Sequence, residues 1–253
     1  MRARLKHFCI QPCLVAQSSS PFLLSTKVSM PPTSRTTSNP PLSSDPESGP
    51  IYFWRPNEPT TGFLSQWYAS VPFRDRDPES SKIYATAEHY MMHHKALLFG
   101  DAEIAEAILA VPAPSPKETK SLGRAVRNFD QAVWERERER IVREGSWCKF
   151  NLPVIEEGKE GEKGEEHERI WRLGDGEDAP VMRAARFRDV LLATGTRELV
   201  EASPFDRIWG VGFGAKEAGK KRGKWGLNLL GKCLMEVREE LRGEAVAGPK
   251  SDK

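Results

Sequence analysis

From Ile51 onward the chain groups its apolar residues on a helical period, interrupted by short β-prone runs. The first such run, Ile51-Tyr52-Phe53-Trp54, predicts a strand stopped by Pro56 and Pro59. Gly62-Phe63-Leu64-Ser65-Gln66-Trp67-Tyr68 is aromatic-rich and is expected to pack under the core. Thr86 predicts an N-cap for a helix from Ala87 to about Phe99, with Gly100 at its end. Asp101 caps a second helix through Val111, which stops at Pro112. Ser115-Pro116-Lys117-Glu118 is a capping box that opens a third. A fourth is expected from about Asp130 to Glu144, with a solvated Glu/Arg face over 135–140 and a Glu139–Arg143 pair at i,i+4. A fifth runs from about Met182 to Ala193, and a sixth from about Asn228 to Leu241, after which the chain frays. The expected fold is mainly α, an α+β arrangement with a few short strands, in a single domain over 51–241.

Two segments stand outside this pattern. Residues 1–50 carry ten Ser, eight Pro and four Thr, with no acidic residue before Asp45. They cannot bury enough apolar area to offset their ordering entropy and are read as a disordered tail. Arg2, Arg4 and Lys6 ahead of a Ser-rich, acid-poor stretch also fit an organellar transit peptide. An uncleaved extension, or a chain begun at Met30, is the favoured reading. Residues 156–168 hold seven Glu, two Lys, three Gly and one His, and predict a solvated acidic insertion reaching to about Pro180.

Composition narrows the classes. No apolar run approaches the ~18 residues of a membrane helix, so no membrane partner is expected. The net charge is +2, and residues 51–253 carry 33 basic and 34 acidic side chains. That balance argues against an obligatory nucleic-acid partner. Four scattered cysteines fit a reducing compartment and free buried thiols. A cytoplasmic protein is expected, with a mitochondrial address as the alternative that the tail suggests.

His89 and His93 are four apart on the first helix and share a face. A catalytic zinc needs a third protein ligand, and the Glu precedes the first His rather than following it, so half-buried imidazoles are the better reading. Gly210-Val211-Gly212-Phe213-Gly214 lacks the spacing of a dinucleotide fingerprint. It is flanked by Glu201 and Asp206 on one side and Trp225-Gly226-Leu227-Asn228 on the other. Carboxylates, indoles and glycine backbone together suit a sugar–base ligand.

Several motifs taken in order resemble the NADAR (YbiA-like) family. They are Thr86-Ala87-Glu88-His89-Tyr90-Met91-Met92 with Lys95-Ala96, and Leu122-Gly123-Arg124 with Phe129-Asp130 and Trp134. Lys149-Phe150, Leu191-Leu192-Ala193-Thr194-Gly195 and Leu199-Val200-Glu201-Ala202-Ser203-Pro204 follow. Asp206-Arg207-Ile208-Trp209-Gly210 and Trp225-Gly226-Leu227-Asn228-Leu229-Leu230-Gly231-Lys232 complete the set. The resemblance spans about Ile51 to Leu241 and implies N-glycosidase chemistry on ribosides. Family members cleave phosphoribosylamino-pyrimidine intermediates of riboflavin synthesis, or remove ADP-ribose from guanine in nucleic acid. The residues they need look like Glu88, Trp134, Asp206 and Trp209 here.

Cleaving a ribose C–N bond passes through an oxocarbenium-like transition state. A carboxylate can stabilise that cation or activate water, and a second acid can assist the leaving nitrogen. Glu88 is therefore expected as base or cation stabiliser and Asp206 as its partner, roles that could be reversed. Trp134 and Trp209 would stack on base or ribose, and Lys95 and Arg124 would receive a phosphate. No metal and no cofactor is expected, since water is the only co-substrate. The small-molecule riboside is the expected partner. An ADP-ribosyl-guanine glycohydrolase is the alternative, kept alive by Lys216, Lys220, Lys221, Arg222 and Lys224. A non-catalytic ADP-ribose-like binding module is a further one.

Overall fold

The computed structural model describes residues 49–111, 115–154 and 168–247. Residues 1–48 of the expected tail and 156–167 of the expected insertion lie outside the described residues. Strand β1 (Ile51–Phe53) opens the fold, followed by a short 3-10 turn over Gly62–Leu64, β2 (Phe73–Arg74) and β3 (Ile83–Tyr84). Helices α1 (Ala87–Leu98), α2 (Ala102–Leu109), α3 (Pro116–Arg124) and α4 (Gln131–Asn151) come next. The hairpin β4 (Arg169–Arg172) and β5 (Val181–Ala184), α5 (Phe187–Leu192) and β6 (Leu199–Glu201) lead to a short α6 (Ala215–Ala218). A 3-10 segment over Gly219–Lys224 and the long α7 (Leu229–Ala247) end the described chain. The strands form three two-stranded sheets: β1 with β6 in parallel, β2 with β3 and β4 with β5 antiparallel. The fold is mainly helical, as its sequence predicts.

Helix α1 is the central element, packed against α2, α3 and α4, while α7 packs on α4. Its first seven residues, Ala87 to His93, are all buried. The core beneath is aromatic: Phe53, Phe63, Tyr68, Phe73, Tyr84, Tyr90, Phe150 and Phe187 are nearly inaccessible. Burial of that apolar area is the main favourable term in folding.

Four boundaries differ from the sequence reading. The fourth helix runs seven residues past Glu144, to Asn151. Gly145 does not end it; a Cβ there would lie 2.5 Å from the Tyr90 ring, so glycine lets α1 and α4 approach. The expected fifth helix splits, because Val181–Ala184 pairs with β4 before α5 begins at Phe187, where the Asp189 carboxylate accepts from the Arg186 N–H at 2.9 Å. The insertion does not reach Pro180 as solvated surface, since Trp171 and Leu173 are buried in the core. The last helix does not fray at Leu241 but continues to Ala247.

Local contacts differ as well. Ser115 precedes α3 but makes no side-chain cap. On α4, Arg143 reaches Glu236 on α7 at 3.6 Å instead of pairing with Glu139, and Arg140 bridges Glu137 and Glu144. Cys148 and Cys233 are free and buried, and burial pushes both thiols up to about 12.

Candidate active site

The N-terminal turn of α1 carries the first site residue. Thr86 Oγ1 accepts from the His89 N–H at 3.1 Å and fixes the helix start. Glu88 sits two residues in, 5% exposed, with its own N–H donating to the Gln66 carbonyl at 3.0 Å. The Trp67 side chain favours the ionised form of the Glu88 carboxylate. The Gln66–Trp67 stretch is in turn anchored from below. Lys149 on α4 is buried and donates from Nζ to the carbonyls of Phe63 at 2.7 Å and Ser65 at 2.9 Å. Burial pushes this ammonium down to about 7, only partly offset by Asp175.

The second site residue lies on the loop after β6. Asp206 Oδ1 accepts from the N–H groups of Ile208 and Trp209, both at 2.8 Å. The loop is clamped to the start of α7. Leu227 donates to the Arg207 carbonyl, Leu229 to Ile208 and Leu230 to Trp209. Helix N–H groups left without an intrahelical partner are satisfied here by the carbonyls of the Asp206 loop. Gly226 permits this, since a Cβ there would meet the Arg207 carbonyl oxygen at 2.2 Å. Asn228 adopts a left-handed φ of 51° and pins β6 with both side-chain atoms, accepting from Glu201 N–H and donating to the Leu199 carbonyl, each at 3.0 Å.

These elements bring together three carboxylates from distant parts of the chain. Glu88 is pushed up to about 7, chiefly by burial; Asp206 adds to the rise, and Lys120, Trp67 and Arg124 oppose it. Glu201, at the end of β6, is pushed up to about 8 by burial, then by Asp206 and Glu88, with Lys120 opposing. Its Oε2 is sealed from solvent and has no hydrogen-bond partner. Burial also lowers the Lys95 ammonium, against the pull of Glu88. Lys95 Nζ donates to the Gly123 carbonyl at 2.7 Å and lies 4.4 Å from the Phe129 ring and 5.5 Å from that of Trp134. Trp134 and Trp209 are both half-buried, packed against the core.

Each residue singled out from the sequence thus has a place. Asp206 and Arg124 both act on the charge of Glu88, Lys95 joins them through Glu88, Trp134 flanks Lys95, and Trp209 shares the Asp206 turn. Sequence reasoning noted Glu201 as a carboxylate beside the glycine run and within a family motif but gave it no role, and it passed over Lys120 and Trp67 as site residues.

The histidines of α1 serve the core. His89 Nδ1 accepts from the Ala85 N–H, so Nε2 carries the proton and donates to the Ile108 carbonyl at 2.7 Å. His93 and His94 meet the Tyr84 hydroxyl at 3.0 and 3.4 Å, and burial pushes both down to about 4. Among the described residues no three His, Cys, Asp or Glu side chains converge as a metal ion would need.

Residues 52–242 match the NADAR domain family. The chain belongs to the NADAR family. It is 35% identical over 195 residues to N-glycosidase R617 of Acanthamoeba polyphaga mimivirus, covering 75% of this chain and 95% of that one. The NMR structure of the Escherichia coli protein YbiA shares its fold, with a TM-score of 0.52 and 26% identity over 81% of this chain and 92% of that one. Riboflavin biosynthesis protein PYRR of Zea mays, a chloroplastic protein, is 25% identical over 219 residues, which cover 81% of this chain and 28% of that one. No helix among the described residues is long and apolar enough to cross a membrane.

Proposed function

We propose that this NADAR N-glycosidase hydrolyses the ribose C–N bond of phosphoribosylamino-pyrimidine intermediates of the riboflavin pathway. The observation that carries the reading is Glu88, a buried carboxylate at a helix N-terminus, set among other carboxylates and cations. The names of the mimiviral and maize relatives support it in turn, one for the bond cleaved and the other for the pathway.

The chemistry follows from the arrangement. Water attacks C1′ as the C–N electron pair withdraws to nitrogen and positive charge develops on the ribose. Ionised Glu88 takes a proton from that water and faces the cation. Its position on α1 favours the anion, since helix dipoles stabilise negative charge at their N-termini. Asp206 uses Oδ1 on its own loop, leaving Oδ2 for the water or a ribose hydroxyl. Trp209 and Trp134 present rings to the base or sugar. Lys95, with one N–H committed to Gly123, has two left for a 5′-phosphate, and Arg124 offers its exposed guanidinium beside it.

The nucleic-acid alternative is weaker. Of the five basic residues that favoured it, Lys221 is paired with Glu217 at 3.9 Å and Arg222 is gripped by both oxygens of Glu198 at 2.7 and 2.9 Å. Locally neutralised cations contribute little to sustained phosphate contact. The test supplies the full chain with 5-amino-6-(5-phosphoribosylamino)uracil and, separately, with ADP-ribosylated guanine DNA. Release of ribose 5-phosphate from the first and nothing from the second is expected. Release of ADP-ribose alone would overturn the substrate assignment in favour of the second reading.

A further inference from the structure

Glu201 has no role in the scheme above, yet its setting is that of a working group. Its backbone is fixed on three sides. The N–H donates to Asn228 Oδ1, the carbonyl accepts from Val211, and the β6 register places it opposite Phe53 of β1. The side chain is therefore delivered to one spot. There the charges of Asp206 on the loop and Glu88 on α1 raise its proton affinity, and Lys120 on α3 opposes them. Lys95 and Arg124 act on Glu88, but at Glu201 itself Lys120 alone opposes two carboxylates, a local excess of negative charge that a proton relieves. A buried carboxyl oxygen without a partner is costly, and an interior site tolerates it only where something else meets that atom. Oε2 of Glu201 is such an atom.

We infer that Glu201 is the proton donor of the site: its carboxyl carries a proton and passes it to the nitrogen that leaves C1′. The inference rests on the glycosidase reading and completes it. The C–N bond breaks with its electron pair on nitrogen, and the Glu201 proton moves onto that pair. The water oxygen bonds to C1′ while Glu88 takes the water proton. The products are the free amine and the ribose with a hydroxyl at C1′. Glu88 ends protonated and Glu201 ionised, and one proton passed from Glu88 to Glu201 restores both. Burial and two carboxylate neighbours raise the proton affinity of Glu201 and favour its loaded form, while Lys120, Trp67 and Arg124 draw Glu88 towards its ionised form. Carboxyl groups with unlike surroundings divide acid and base work in this way.

The experiment uses the full chain as wild type, Glu201→Gln and Glu201→Asp, with the phosphoribosylaminouracil as substrate and pH varied. Glu201→Gln is expected to lower kcat by about a hundredfold while KM stays within about threefold, and to abolish the alkaline fall in kcat. Glu201→Asp should retain part of the rate and the alkaline fall. A Glu201→Gln enzyme within about threefold of wild type, one that keeps the alkaline limb, or one that loses KM rather than kcat would overturn the assignment. Infrared spectroscopy of the wild type supplies a readout that needs no turnover. A protonated-carboxyl component present at neutral pH, and lost in Glu201→Gln while that of Glu88 remains, is expected. If the Glu201 component is present and wild type releases no ribose, the substrate reading fails while the proton on Glu201 stands. If wild type turns over without that component, the Glu201 assignment fails alone.

Discussion

Glu88 and Glu201 trade stability for chemistry, and pH exposes the trade. Both bind protons more tightly folded than unfolded, rising from 4.5 to about 7 and about 8. Each group's favourable contribution is therefore fully present below about pH 4.5. It is lost as pH rises through about 7 for Glu88 and about 8 for Glu201. Replacing either with Gln removes that loss. The melting temperature of Glu201→Gln relative to wild type should accordingly climb between about pH 5 and pH 8.5 and then level off, as thermal unfolding across that range would show. A difference that does not change with pH would mean that Glu201 titrates normally. At this scale the sequence shows which carboxylates exist but not which are buried. Glu88 was legible because it lies in a motif-rich helix, whereas Glu201, though also in a motif, showed no role until β1 and Asn228 fixed its place.

Helix starts were more legible than helix ends. Thr86, Asp101 and Asp130 each accept from a backbone N–H three residues on, a local bond that a local pattern can reveal. Ends and glycines depend on what packs against them. Gly145 lies just past the expected end of the fourth helix and is a contact point between α1 and α4. Gly145→Ala should lower stability by about 1–3 kcal/mol in denaturant unfolding, because the Tyr90 ring is hemmed in and cannot move aside freely. An unchanged midpoint would show that α1 and α4 can separate without penalty. Gly226 plays a comparable part at the site, where its close approach holds the Asp206 loop on the start of α7. Gly226→Ala should displace Asp206 and reduce kcat by about tenfold or more, with a smaller effect on the melting temperature. Equal turnover would detach that loop from the chemistry.

For the molecule as a whole, motif order made the family recognisable, while the gathering of the site was not readable from the chain. Glu88, Lys120 and Asp206 are separated by long stretches of sequence, and only the packing of α1 against α3 and the clamping of the β6–α7 loop bring them into range. The near balance of charge in residues 51–253 suits a small anionic substrate held by a few placed cations rather than a long polyanion. The lysine beneath the site adds to this picture: Lys149 supports the turn that leads to Trp67 and Glu88, although it lies in the core. The central claim is that water, activated at Glu88, cleaves the ribose C–N bond of a phosphoribosylaminopyrimidine. The direct test is turnover of that substrate in heavy-oxygen water, wild type beside Glu88→Gln, with both products analysed by mass spectrometry. The account predicts one heavy oxygen in the ribose 5-phosphate, none in the pyrimidine, and a rate about a hundredfold or more lower in the variant. Ribose release that is equal in the two proteins, or label found on the pyrimidine, would contradict it.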